Sequence, residues 1–224
     1  MKWMRVIAVL VPSLVAAPAL SQERDAYSPA GTISIGPSLS TLGLGLELGY
    51  RPSDYFAIRA GGNFFSYDKS LELDGIDYDG SLDLRSAGLI ADLHPFGGGF
   101  RLSVGARLNL NEAGLSARPT ENTEIGDRIY TPAEIGRIKG EIDFDRFAPY
   151  AGLGYEGSPL PTEAFTLSLD LGVMYHGAPN VDLSATGQAA TLAEDLEEER
   201  RKVEDEVEAY KFYPVIALTA KLRF

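Results

Sequence analysis

Phe212-Tyr213-Pro214-Val215-Ile216-Ala217-Leu218-Thr219-Ala220-Lys221-Leu222-Arg223-Phe224 is the stretch that decides the fold. Phe212, Pro214, Ile216, Leu218, Ala220, Leu222 and Phe224 occupy one alternate set, and Tyr213, Val215, Ala217, Thr219, Lys221 and Arg223 the other. A period of two is the geometry of an extended strand, whose successive side chains leave opposite faces of a sheet. One face here is apolar along its whole length. The other carries charges and a hydroxyl.

The same alternation recurs along the chain. It is weak in residues 31–39, interrupted by Pro37, and clean in 42–51, where Leu42, Leu44, Leu46, Leu48 and Tyr50 oppose Gly43, Gly45, Glu47, Gly49 and Arg51. It returns in 55–67, 81–93, 100–111, 141–155, 164–176 and 212–224. The phase of 81–93 slips near Ser86, which predicts a β-bulge. These are eight expected strands. The turns after residues 51, 94 and 155 are short, and the connections after 67, 113 and 176 are long. Alternating short turns and long loops on an even number of strands is the pattern of a membrane barrel. The expected fold is therefore all-β: an eight-stranded antiparallel transmembrane β-barrel, with one charged helix in the last outer loop. Thr191 with Glu194 has the form of a capping box, and residues 192–208 contain no Gly or Pro. A second, short helix is expected within 132–138.

Composition agrees with export. The chain has 224 residues and no Cys, which excludes disulfides and thiolate metal sites. Lys2 and Arg5 precede an apolar run from Val6 to Ala16, with a small-residue cleavage site at Ala19-Leu20-Ser21. Residues 1–21 read as a signal peptide, 22–30 as a polar leader and 31–224 as the barrel. Removing Lys2 and Arg5 takes the formal net charge from −12 to −14. That balance argues against nucleic acid, which requires a basic surface. No later segment approaches the roughly 20 apolar residues of a transmembrane helix.

Alternation alone does not say which face points inward. Aromatics of the apolar face decide for outward: Tyr50, Phe56, Phe100, Tyr155, Phe165 and Phe224 lie beside short turns, and Phe64, Tyr175 and Phe212 beside long loops. Two such levels fit interfacial girdles separated by a membrane strand of about 9–11 residues. The opposite face is rich in Gly, which suits a narrow lumen where small residues leave room for long ones. Arg59, Arg101 and Arg107 then need buried partners, and Glu47, Asp92 and Asp170 are the acids at the right depth. If Arg51 pairs with Tyr55, Glu47 falls directly opposite Arg59. This lumen network has two readings: a structural plug, or the selective lining of a constricted solute path.

The outer loops are acidic, with Asp68, Glu72, Asp74, Asp77 and Asp79 in one and Glu194 to Glu208 in another. They are solvated surfaces or collectors of cations. Asp77-Tyr78-Asp79-Gly80 lacks the further acids of a calcium loop in register. Only His94 and His176 could serve as catalytic bases, and they fall at opposite barrel ends. No phosphate loop, nucleotide fingerprint or metal-ligand spacing is present. No enzyme activity, cofactor or metal is expected.

The terminal Leu222 and Phe224 resemble the C-terminal insertion signal of outer-membrane barrels, with Thr219 where Gly is common. Further along the same line, Pro95-Phe96-Gly97, Ala148-Pro149-Tyr150 with Gly152 and Gly154, Gly172-Val173 with Tyr175, Gly177, Pro179 and Val181, the acidic helical loop and Pro214-Val215 resemble the small CarO-type outer-membrane porins associated with ornithine uptake and carbapenem susceptibility. The resemblance implies a bacterial outer-membrane location and an eight-stranded barrel with a constricted lumen. It also implies passage of small basic amino acids. Expected partners are outer-membrane lipid and lipopolysaccharide, the barrel assembly machinery and small basic solutes. The expected function is a narrow, porin-like channel for small cationic, amino-acid-like solutes. The alternative is a non-conducting structural or surface-interaction barrel working through its outer loops.

Overall fold

The computed structural model describes residues 30–73, 76–159 and 164–224. The expected signal peptide and all but Ala30 of the expected leader lie outside the described residues. The elements are β1 (Thr32–Ser40), β2 (Gly43–Ser53), β3 (Phe56–Leu73), β4 (Ile76–Leu93), β5 (Phe100–Asn109), β6 (Glu112–Pro119), β7 (Thr123–Ile125), β8 (Arg128–Tyr130), α1 (Pro132–Ile135), β9 (Ile138–Asp143), β10 (Phe147–Gly157), β11 (Phe165–Tyr175), β12 (Asn180–Ala185), α2 (Leu192–Val207) and β13 (Phe212–Arg223).

The main sheet has eleven strands rather than the expected eight, and β7 and β8 form a separate ribbon. Antiparallel pairing runs in a circuit through β1, β2, β3, β4, β5, β10, β11 and β13, and β13 pairs back onto β1. The additional strands continue members of that circuit. β4 pairs with β5 up to Ser86↔Asn109 and then with β6 from Asp83↔Glu112, so the register carries on unchanged across residues 110–111. β10 and β9 relate in the same way, through Phe147↔Leu108 and Asp143↔Glu112. At the break the Leu110 N–H donates to the Arg85 carbonyl at 2.9 Å, and the Arg85 N–H donates to Asn111 Oδ1 at 3.0 Å. A side-chain amide oxygen thus replaces one rung of the ladder. β12, which follows β11 after residues 176–179, completes a projecting sheet of β3, β4, β6, β9 and β12 at the loop end.

Of the expected loop at 68–80, residues 68–73 and 76–80 are therefore strand, the expected loop after residue 113 contains β6, and the expected strand at 141–155 is divided between β9 and β10. Nor does Ser86 mark a bulge. The β3–β4 register runs unbroken from Phe56↔Leu93 to Leu73↔Ile76. What changes is the polarity of the two faces. Within the circuit the outward positions are apolar, as at Phe64, Leu89 and Val104, exposed by 66, 61 and 62 %. Farther up, the same outward phase holds Asp68, Asp79, Asp83, Glu112 and Glu141, while Leu82, Leu84, Leu115, Ile138 and Val181 take the inward phase. The straight strand passes from one solvent to another. Its apolar residues change sides because an exposed apolar face is favourable only against hydrocarbon.

The outer segments gather a small core of Ile125, Tyr130, Ile135, Leu192 and Leu196, packed by Ile138, Ala185 and Ala189. This is the outer lobe. α2 supplies the two leucines, and its exposed faces are laced by pairs such as Arg200–Glu204 at 2.7 Å and Lys202–Glu198 at 2.8 Å. Thr191 does not form the expected capping box. Its backbone is already helical, and its hydroxyl lies 2.8 Å from the Tyr130 hydroxyl. The box occurs on α1 instead, where the Glu134 carboxylate accepts from the Thr131 N–H at 2.8 Å and its hydroxyl at 2.7 Å.

Candidate functional site

The lumen is occupied by its own side chains, in two layers. The layer nearer the short turns is ionic. Arg101, 1 % exposed, donates through Nη2 to both Asp170 oxygens at 2.8 Å, and its Nη1 lies 3.2 Å from Glu156. Arg59 donates to Glu47 at 2.8 Å and to Asp170 at 3.2 Å, and clasps Asp92 through Nε and Nη2. Lys221 reaches Glu47 at 2.8 Å, and Arg51 lies 3.5 Å from Glu156. Ser103 donates to Asp92 at 2.6 Å and Ser168 accepts from Arg101 at 3.2 Å. Each carboxylate therefore meets more than one cation, which offsets the desolvation that isolated buried charges could not sustain.

Glycine makes this geometry possible. Gly154 sits between Arg101 on β5 and Asp170 on β11, paired in register with both. Without a side chain there, Arg101 reaches across β10 to Asp170. A Cβ at Gly154 would come within 2.7 Å of Asp170 Oδ1 and 3.0 Å of Arg101 Nε.

The layer nearer the long connections is apolar: Leu42, Ile90, Ala148, Tyr150, Met174 and Val215, with Tyr213 against it. Leu42 belongs to the two-residue turn between β1 and β2. The expected strand phase put it on the outer face with Leu44, yet it is 1 % exposed and turned inward. The turn is pinned by the Thr41 N–H donating to the Ile216 carbonyl at 3.0 Å and by the Tyr213 hydroxyl donating to the Thr41 carbonyl at 2.6 Å. Gly152 and Gly172, opposite one another, leave the space for the Tyr150 ring. Between the two layers lies a cavity of about 40 Å³, bordered by Ser38, Ser40, Glu47, Asn63, Arg107 and Tyr150 among others. That volume holds a few water-sized particles at most.

Of the sequence-predicted lumen residues, Glu47, Arg59, Asp92, Arg101 and Asp170 converge. Arg107 stands apart, donating to Asn63 Oδ1 at 2.6 Å and Ser86 at 3.2 Å. Glu47 is not directly opposite Arg59: Gly49↔Arg59 and Glu47↔Gly61 are the cross-strand pairs. β2 runs on to Ser53, which pairs with Phe56, and after a one-residue irregularity between Ser53 and Tyr50 the register lies two residues from the expected one, which makes the Glu47–Arg59 pair diagonal. Sequence reasoning missed Arg51, Glu156 and Lys221. All three share the alternation phase of the lumen glycines, so the signal was present. The alternation places Glu156 in the short turn after residue 155, whereas β10 extends to Gly157. Leu222 and Phe224 face outward at the turn end, 52 and 78 % exposed, and Phe224 is tied to β1 by its N–H donating to the Ile33 carbonyl at 2.9 Å.

The histidines lie at opposite ends, as expected. His94 Nδ1 sits 2.9 Å from the Gly98 carbonyl in the β4–β5 turn, and burial beside Arg51 lowers its pKa. His176 follows β11 and packs its ring on Phe144 and Tyr213, and burial lowers its pKa too. Among the described residues, no group of three or more His, Asp or Glu is arranged to hold a metal ion.

An apolar belt facing outward all round a strand circuit, with ions sealed in its centre, has only a bilayer to face. The class this defines is the outer-membrane β-barrel fold. Solved structures agree on the fold. CarO2 of Acinetobacter baumannii matches with a TM-score of 0.59 and 23 % identity over 86 % of this chain and 98 % of that one. CarO of the same organism matches with a TM-score of 0.58 and 21 % identity, over 85 % and 97 %. Neither a protein-family model nor a curated protein sequence matches the chain.

Proposed function

We propose that the eight-strand circuit is a transmembrane barrel that does not conduct, and that the protein works through the lobe it raises on the outer side of the membrane. The observation that carries this reading is the double seal: Arg101 and Leu42, in the ionic and apolar layers, are each 1 % exposed. A channel for ornithine- or arginine-sized solutes requires both layers to part. The ionic layer resists this, because separating a buried pair leaves an uncompensated charge at a cost of about 3–5 kcal/mol. The lobe, by contrast, spends three extra strands, a ribbon and two helices outside the membrane.

Residues 1–21 serve export in this reading. Leu222 and Phe224 present the terminal strand to the barrel assembly machinery, and the outward belt contacts lipid and lipopolysaccharide. The test is conductance of the refolded mature protein in planar bilayers, with liposome swelling in ornithine and arginine. Neither steady current nor swelling above protein-free controls is expected. Sustained current that changes on Asp170→Asn substitution would restore the cationic-solute channel.

A further inference from the structure

Within the barrel the cations Arg51, Arg59, Arg101, Arg107, Lys221 and Arg223 face the acids Glu47, Asp92, Glu156 and Asp170. Arg107 forms no ion pair among the described residues; its partners are the neutral Asn63 and Ser86. Its Nε is buried without any hydrogen-bond partner, and the side chain borders the cavity of about 40 Å³. A half-buried guanidinium whose Nε–H is sealed from solvent beside an internal space is a costly arrangement unless something accepts from it.

The fold gives Arg107 this position on purpose-built terms. Gly88 lies directly across from it on β4, and a Cβ there would come within 3.1 Å of Arg107 Cγ and 3.4 Å of Cζ. The side chain is thereby laid along β4, with its amines shared between Asn63, Ser86 and the cavity. The cavity wall also carries the hydroxyls of Ser38, Ser40 and Tyr150 and the amide of Asn63. Glu47 and Asp170 line it as well, but each is already held by two cations: Lys221 and Arg59 for Glu47, Arg101 and Arg59 for Asp170.

We propose that this cavity binds one small monovalent anion of chloride size, held by Arg107 Nε and the hydroxyls of Ser38 and Tyr150. The anion supplies a counter-charge to Arg107 and joins the ionic layer to the apolar one. Divalent oxyanions are excluded by the volume and by the two carboxylates in the wall. The site is independent of whether the barrel conducts.

The experiment uses the full mature chain refolded in detergent micelles. Crystals soaked in bromide should show an anomalous peak in contact with Arg107 Nε. At fixed ionic strength, replacing gluconate by chloride should raise the folded-to-unfolded ratio by about tenfold for each tenfold rise in chloride above its dissociation constant. Arg107→Gln should lose that chloride-specific gain. Arg107→Lys, which keeps the charge but has no Nε, should lose most of it and guards against a variant that does not fold. A cavity holding only water in the bromide crystals, or a chloride gain equal in the native protein and in the folded variant, overturns the proposal.

Discussion

Replacing Asp170 by Ala should be among the most damaging single substitutions in the barrel. Asp170 accepts twice from Arg101 at 2.8 Å and once from Arg59 at 3.2 Å, and all three side chains are buried. Its loss leaves Arg101 with Glu156 at 3.2 Å and Asp92 at 3.9 Å, and leaves Arg59 with Glu47 and Asp92. Three carboxylates would then serve the cluster's cations. Breaking a buried pair by removing one partner costs about 3–5 kcal/mol, or about two to nearly four powers of ten in the unfolding constant. The assay is equilibrium urea unfolding in micelles, read by far-ultraviolet dichroism and by the mobility shift of folded barrels on unheated gels. The companion variant, Arg101→Met with Asp170→Leu, removes both charges and fills the space. It should recover most of the loss, because a well-packed apolar replacement of a buried pair is often neutral or better. A cost below about 1 kcal/mol for Asp170→Ala, the range of solvent-exposed pairs, would refute the picture of a dry ionic layer.

Gly154→Ala tests the same layer without touching a charge. The new methyl would press on Asp170 Oδ1 and Arg101 Nε and on the Leu169 carbonyl at 3.0 Å, and should cost about 1–3 kcal/mol in the same urea titration. Glu141→Gln probes the lobe. The neighbouring Glu112 carboxylate, helped by Asp143 and Asp182, holds Glu141 above its ordinary value of 4.5. A carboxyl with a raised pKa in the folded state weakens the fold where it is ionised, and the penalty fades as the pH falls through that pKa and below the ordinary value. The variant should therefore show a lobe more resistant to limited proteolysis than the native one at pH 7, with the difference gone near pH 4. Equal proteolysis rates at pH 7 would show that the carboxylates are fully screened.

Much of the barrel was legible because membrane strands write their structure in a period of two. β5 and β13 are almost complete in the sequence: Leu102, Val104 and Leu108 face outward, and Arg101, Ser103 and Asn109 are buried in the lumen. The composition of the ionic layer was legible in the same way, from the charges that share the glycine phase. Its connectivity was not, since the sequence does not give the length of a turn's last ladder rung. β2 extends to Ser53 before it turns, so Glu47 lies two residues along β3 from its expected partner, and long side chains close the gap diagonally. Leu42 departs from its expected phase for a different reason. It continues the apolar phase of β2, but the chain has already turned by then, and Gly43 with φ +102° takes the corner.

The lobe was the least legible part, and the cause is informative. Alternation reports which face is apolar, and a strand rule assumes that the medium on each side stays the same along the strand. β3 and β4 violate that assumption without bending. Phe64 and Leu89 face outward, whereas Phe65, Tyr67, Leu82 and Leu84 take the inward phase of the same unbroken ladder. Read with one solvent in mind, the reversal looks like an inserted residue or the end of a strand. Read with two, it is a depth gauge. On β3 the outward apolar run lasts from Phe56 to Phe64, close to the about 9–11 residues of a tilted membrane strand. The reversal recurs at Leu110–Asn111 between β5 and β6, and between β9 and β10. Neighbouring strands in register thus place the hydrocarbon boundary at one level, directly below the acidic outward face of Asp83, Glu112 and Asp143. A one-residue slip of β4 against β3 would set both patterns on the wrong sides at once, burying carboxylates in the lobe and turning leucines into the lumen. The two media therefore fix the same register from opposite ends, which is why so long a hairpin can rise from the membrane without losing its alignment.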